Sequence, residues 1–241
     1  MEKNCRYRRV LLKLSGEALK GARAEGYDPE AVRGIVERIR SIRDCGVQVA
    51  VVIGAGNLWR GAAGAGAGMD RVTADGMGML ATVMNALCVK DYLRAAGIPA
   101  LVQTAVPMEP IARRYDRDEA VAALENGTVV LFACGTGSPF FTTDTTSALR
   151  ALETNCDAML KATKVDGIYS ADPMKDPAAV RYDRITFDEA ISRNLRVLDQ
   201  TAFSMCRDHH LPIVVFNFHD PESFRRVLAG DPGAGTIVCD E

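Results

Sequence analysis

Four charged residues stand beside turns or helix starts where they could do chemistry: Lys13, Arg60, Asp144 and Asp199. Lys13 comes late in the apolar run Arg-Val-Leu-Leu-Lys-Leu (9–14), just before Ser15-Gly16. It either faces solvent from an edge strand or aims its ammonium at a loop crevice. Arg60 lies in Gly54-Ala55-Gly56-Asn57-Leu58-Trp59-Arg60-Gly61, directly after the apolar run Val47–Ile53. Small residues there let backbone N–H groups approach an anion, and the guanidinium can fork onto phosphate oxygens. The plain alternative is a strand-to-helix turn with a surface arginine. Asp144 ends Gly135-Thr136-Gly137-Ser138-Pro139-Phe140-Phe141-Thr142-Thr143-Asp144, whose hydroxyls and glycines precede a helix and offer donors at its N-terminus. A cap alone needs only one Ser or Thr. Asp144 and Asp199 both stand beside helix starts, so each is an N-cap or a working carboxylate.

The elements that hold these residues can be read from periodicity. Strands are expected at Arg9–Leu14, Val47–Ile53, Ala100–Gln103, Thr128–Ala133, Ala158–Ala162, Pro212–Phe216 and Gly235–Cys239. Between them lie helices. One has Asp28 as N-cap, Pro29 first and Gly46 past its end, with Val32, Ile35, Val36, Ile39 and Ile42 on one face. Others run from Thr73 to Ala96, after Asp116, from Thr143 to Glu153, after the capping box Thr186-Phe187-Asp188-Glu189, and from Asp220-Pro221 to Gly230. The second carries Met77, Met79, Leu80, Ala81, Val83, Met84, Ala86, Leu87 and Cys88, and is expected to be buried all round, partly in the core and partly against another subunit. Alternating strands and helices predict an α/β fold with a mainly parallel sheet and helices on both faces. In such sheets ligands sit beyond the carboxyl ends of the strands. That rule selects Ser15-Gly16, 54–61, 135–143 and 163–172. No repeat or linker interrupts the chain; 61–68 is a Gly/Ala-rich loop and 170–185 an irregular stretch.

Composition excludes several classes. A net charge of −2 with mixed signs argues against nucleic acid binding. No apolar run suggests a membrane span, and no signal core follows Met1, so a cytoplasmic protein is expected. Seven scattered cysteines without CxxC spacing read as reduced thiols. No GxxxxGK[ST], GxGxxG after a strand, HExxH or GxSxG occurs, so this is not a P-loop kinase. His209, His210 and His219 lack metal-ligand spacing and read as surface or helix-end residues.

Taken together, Lys-Leu-Ser-Gly-Glu-Ala (13–18), Ile-Gly-Ala-Gly-Asn-Leu-Trp-Arg-Gly (53–61), Gly-Met-Gly-Met-Leu-Ala-Thr-Val-Met-Asn (76–85), the 135–144 segment and Lys-Ala-Thr-Lys-Val-Asp-Gly-Ile-Tyr-Ser-Ala-Asp-Pro (161–173) resemble bacterial UMP kinases of the amino acid kinase superfamily. The likeness runs from about Arg9 to Val238; its last stretch is shared across the superfamily, whereas the Gly-Thr-Gly-x-Pro-Phe-Phe-Thr-Thr-Asp string is selective for the UMP branch.

The resemblance implies a three-layer α/β/α sandwich of about eight strands. It implies one domain over 1–241, with the acceptor side mainly in 1–155 and the ATP nucleoside side mainly in 156–241. It implies transfer of the γ-phosphoryl group of ATP to UMP, giving UDP and ADP for pyrimidine nucleotide synthesis. Magnesium would arrive on ATP, with no metal site on the protein. By the same resemblance Lys13, Leu14, Ser15, Gly16, Gly56, Arg60, Thr163, Tyr169 and Asp172 bind ATP. Ala55, Asp75, Thr136, Gly137, Ser138, Pro139, Phe140, Phe141, Thr142 and Thr143 bind UMP, Asp75 meeting the ribose hydroxyls. Lys13, Arg60, Asp144 and Asp199 are the catalytic set. UTP is the implied inhibitor, since it resembles the product, and a homohexamer the implied assembly. Ala55 departs from the family's usual glycine; a left-handed backbone there would cost alanine about 1 kcal/mol. Two rival readings stay on the table: a relative that phosphorylates a carboxylate or carbamate, and a non-catalytic oxyanion-storage protein on the same fold.

Overall fold

The computed structural model describes residues 5–59, 68–171, 173, 175–176, 178–195, 198–218 and 220–240. Its strands are β1 Arg9–Leu14, β2 Gln48–Ile53, β3 Ala100–Thr104, β4 Arg113–Arg114, β5 Val129–Ala133, β6 Ala158–Thr163, β7 Ile168–Tyr169, β8 Arg181–Tyr182, β9 Arg184–Thr186, β10 Ile213–Asn217 and β11 Thr236–Cys239. Nine of them form one sheet in the order β4-β3-β5-β2-β1-β6-β10-β11-β9, parallel except where β10 meets β11; β7 and β8 make a separate antiparallel pair. The sheet exceeds the expected eight strands because short β4 and β9 extend its edges. Strands of two or three residues carry no readable periodicity. For the same reason the stretch at 170–185, expected to be irregular, holds β8 and part of β9.

The helices are α1 Pro29–Arg43, α2 Arg71–Ala95, α3 Arg117–Glu125, α4 Thr143–Glu153, α5 Phe187–Ser192, α6 Gln200–Asp208 and α7 Pro221–Leu228. Their starts are fixed by side-chain caps: Asp28, Asp70, Asp116, Thr142, Thr186, Asp199 and Asp220 each accept a first-turn backbone N–H. Each such cap contributes about 1 kcal/mol. Alternation along the strands then separates two cores. Val10, Leu12 and Leu14 of β1 pack on the side of α1, α2 and α7, while Leu11 packs on the side of α3, α4 and α6. Lys13 shares the face of Leu11, since side chains two apart lie on one side of a strand.

Helix α2 is 25 residues long and apolar enough to cross a membrane by length and composition alone, yet Val83, Ala86, Val89 and Leu93 are buried in the first core. It is not buried all round within the chain. Met77, Leu80 and Met84 form a stripe 38%, 55% and 54% exposed, since the sheet covers only the helix's inner side.

Candidate active site

The adjacent strands β5, β2, β1 and β6 are parallel, so the four loops singled out above leave the sheet at one edge, side by side. Ser15-Gly16 and the loop after β2 approach each other tightly. A Cβ placed on Gly16 would lie 2.2 Å from the Gly54 carbonyl oxygen and 2.8 Å from the Gly56 nitrogen. Only glycine lets the two loops touch. Gly16→Ala should therefore push them apart and cost about 1–3 kcal/mol, read as a lower midpoint in urea unfolding, with weaker nucleotide binding. Below this contact Asn57 and Asn85 exchange reciprocal amide hydrogen bonds of 3.0 and 2.7 Å, and Asn85 Nδ2 also donates to Gly54 O at 2.7 Å. Both asparagines are buried, so α2 holds this loop from beneath. Ala55 is not among the residues with positive φ, so the methyl carries no left-handed penalty and that expected cost is absent.

Lys13 sits in the central strand and is only 13% exposed, which settles its orientation: Nζ lies 2.7 Å from Asp144 Oδ1. The register places Lys161 of β6 directly beside it, and Lys161 Nζ lies 2.8 Å from Asp144 Oδ2. One carboxylate thus separates two ammoniums. Burial would raise the Asp144 pKa, but Lys13 and Lys161 outweigh it and hold the carboxyl below the usual range. Burial lowers Lys161, opposed by Asp144 and reinforced by Lys13. Asp144 lies in the first turn of α4 but is not its cap; Thr142 is, accepting from the Asp144 and Thr145 amides at 3.0 and 3.2 Å. Asp199 is the N-cap of α6, accepting from Ala202 N at 3.0 Å, and also takes the hydroxyls of Thr142 and Thr145. It therefore ties α6 to the start of α4.

Two cavities flank the lysines. The smaller, about 120 Å³, is lined by Ala55, Trp59, Asp75, Thr82, Ser138, Phe141, Thr142 and Thr143 among others. The larger, about 560 Å³, is lined by Lys161, Thr163, Tyr169, Arg193 and Leu195 among others. Sites for small ligands commonly run ~300–1,000 Å³, so the larger suits a nucleoside and the smaller part of one. Tyr169 stands in it with its hydroxyl donated to Asp166 at 2.6 Å, which raises the phenol pKa. A bigger concavity of about 660 Å³ lies near Asp44 and Cys45, just ahead of β2 at the amino ends of the strands, away from these groups.

The other expected residues fall as follows. Ser15 caps the 3₁₀ turn Gly16–Leu19, and Gly56 packs on Glu17. Leu14 points into the core, leaving only its backbone for a ligand. Thr136, Gly137, Pro139 and Phe140 belong to the 135–143 loop without lining the small cavity. Phe140 is 63% exposed. Arg60, Asp172 and His219 lie outside the described residues. Among the described residues no cluster of three or more His, Cys, Asp or Glu could hold a metal ion. Lys161 was missed, although it repeats the signal of Lys13, a lysine late in an apolar strand. Thr82, Asn57 and Asn85 were missed because a buried polar residue on a helix or turn gives no sign of its partner.

A parallel α/β sheet whose carboxyl edge carries a lysine–aspartate–lysine cluster between two cavities defines a phosphate-handling enzyme of the kinase type. The chain belongs to the amino acid kinase family, whose model matches residues 8–217, and within it to the uridylate kinase branch. It is 52% identical over 241 residues, the full length of both chains, to a uridylate kinase of Paramagnetospirillum magneticum. Among solved structures, UMP kinase from Bacillus anthracis matches with a TM-score of 0.94 and 39% identity, over 98% of this chain and 97% of that one. UMP kinase from Ureaplasma parvum matches with a TM-score of 0.90 and 34% identity, over 98% of this chain and 100% of that one.

Proposed function

We propose that the chain is an ATP-dependent UMP kinase, transferring the γ-phosphoryl group of ATP to UMP and releasing UDP and ADP. The observation that carries this reading is the position of Lys13, Asp144 and Lys161 between the two cavities. Thr143, next to Asp144, lines the smaller, and Lys161 lines the larger. Phosphoryl transfer between two anions needs alignment and neutral charge more than covalent help. The acceptor phosphate oxygen is already ionised near neutral pH, so no strong base is required. Lys13 and Lys161 neutralise the moving group, a task shared in this reading with Arg60. Asp144 holds the lysines apart and aimed. Asp199 holds Thr142 and Thr145, and so the end of the acceptor loop. Magnesium would arrive on the ATP phosphates and supply further charge neutralisation there, with Asp144 and Asp199 as the carboxylates that could orient its water shell.

In this reading ATP takes Lys13, the Leu14 backbone, Ser15, Gly16, Gly56, Arg60, Thr163, Tyr169 and Asp172, and UMP takes Ala55, Asp75 and 136–143. The acceptor half then lies mainly in 1–155 and the ATP nucleoside half in 156–241. The exposed Met77, Leu80 and Met84 stripe supports a homo-oligomer, the hexamer being the assembly proposed. A cytoplasmic location, a place in pyrimidine nucleotide synthesis and inhibition by UTP complete the reading. The test is an ADP-release assay with Mg-ATP and separate UMP, CMP, dUMP, glutamate and carbamate. Strong turnover with UMP is expected. Turnover with glutamate or carbamate instead would move the chain to another branch, and none with any acceptor despite ATP binding would favour a storage protein.

A further inference from the structure

The 134–140 segment winds through four left-handed residues: Cys134 at φ 65°, Gly135 at 56°, Gly137 at 83° and Phe140 at 72°. The glycines adopt this backbone freely, but the cysteine and phenylalanine do not. Something outside the loop must hold them. Each gives its backbone N–H to a side chain of α2: Cys134 to Thr82 Oγ1 at 2.9 Å, and Phe140 to Asp75 Oδ2 at 2.8 Å. The Phe140 side chain is 63% exposed, so packing does little of the holding there. Asp75 is itself fixed, with both carboxylate oxygens 2.9 Å from Arg71 Nε, and the Arg71 guanidinium lies 5.5 Å from the Phe140 ring centre. Strained residues persist only where their surroundings over-determine them. The two fastenings fall on the only two non-glycine residues of this loop that need them.

We propose that α2 clamps the acceptor loop in its wound shape through Thr82 and Asp75, making Asp75 a positioning residue for the loop in addition to any contact with the sugar. The proposal rests on the reading of 136–143 as the acceptor site. A carboxylate has lone pairs for an amide and for ribose hydroxyls together, so the two tasks do not exclude each other. They differ in what survives when the sugar hydroxyls are removed.

The experiment compares the wild type with Asp75→Ala, Asp75→Asn and Thr82→Val. Amide exchange over 134–142 is followed in the free protein. Calorimetry then gives Kd for UMP, for 2′,3′-dideoxyuridine monophosphate and for ATP, with Tm as a check on folding. For Asp75→Ala, exchange at Phe140 should rise about tenfold, the scale of one hydrogen bond to a charged group. Kd for the dideoxy acceptor should weaken by a similar factor while Kd for ATP stays put. Asp75→Asn keeps an acceptor oxygen and should fall between. Thr82→Val should speed exchange at Cys134. If Asp75→Ala weakens UMP but leaves both the dideoxy acceptor and the loop's exchange unchanged, Asp75 serves the sugar alone and the clamp is wrong. Faster exchange with unaltered dideoxy binding overturns it too. Should the wild type bind no uridine nucleotide, the functional reading fails, whereas exchange in the free protein still decides the clamp.

Discussion

Lys13→Ala is expected to lower kcat by about 10²–10³-fold, the range for removing one preorganised charge-stabilising group, while Tm changes little. The second half of this expectation follows from the cluster. Lys13, Asp144 and Lys161 carry two positive charges and one negative charge, so removing Lys13 leaves a balanced pair at 2.8 Å. Lys13 is one of the causes that lower the Lys161 pKa, so its removal also relieves a repulsion. Lys161 should titrate higher in the variant, which ¹⁵N NMR of the lysine amines would follow. Kinetic loss without loss of stability, and with that upward shift, marks a group aimed at substrate. A kcat within a few-fold of the wild type would remove Lys13 from the reaction and leave Lys161 as the working cation.

Lys13 also shows how far the sequence reaches. Its place late in a strand is legible, and so is the rule that puts ligands at the carboxyl edge. Its direction was not, because an edge strand and a central strand can both carry one lysine; strand order decides, and strand order is a tertiary fact. The caps Asp28, Asp116, Thr186 and Asp220 were legible since they act within one turn of their own helix. Asp144 was not: it resembles a cap in sequence, yet Thr142 fills that role and frees its carboxylate for two lysines from different strands. The Asn57–Asn85 pair joins residues 28 apart in sequence through a contact that neither residue's neighbours announce. Signals of period two or 3.6 locate elements well. Contacts across the sheet edge come from the order in which strands assemble, which periodicity does not encode.

Asp144→Asn has the opposite signature to Lys13→Ala: it costs stability as well as turnover. The substitution keeps the shape but removes the carboxylate shared by two largely buried ammoniums in neighbouring registers, leaving Lys161 with the weaker pull of Asp199. Breaking a buried pair by removing one partner costs about 3–5 kcal/mol; the lysines can swing partly toward water, which favours the lower end. For a chain of this size about 3 kcal/mol corresponds to a Tm lower by roughly 6–12 °C. The pH dependence gives a sharper check. Asp144 has a folded pKa below its ordinary 3.8, so its contribution is present above that value and lost as pH falls through the lower folded one. Wild type and variant should therefore converge in strong acid, where the wild-type carboxyl is protonated and resembles the amide. On the alkaline side, burial lowers Lys161, and Asp144 is the larger of the two carboxylates, with Asp199, that raise it against burial. Without it Lys161 sits further below its ordinary 10.5, the unfolded chain binds more protons, and the variant gains stability as pH rises. The stability gap should be widest near neutrality and narrow toward both extremes, as measured by urea unfolding from pH 3 to 10. A gap that is constant across that range would mean the loss comes from packing at the start of α4 and not from the charge between the lysines.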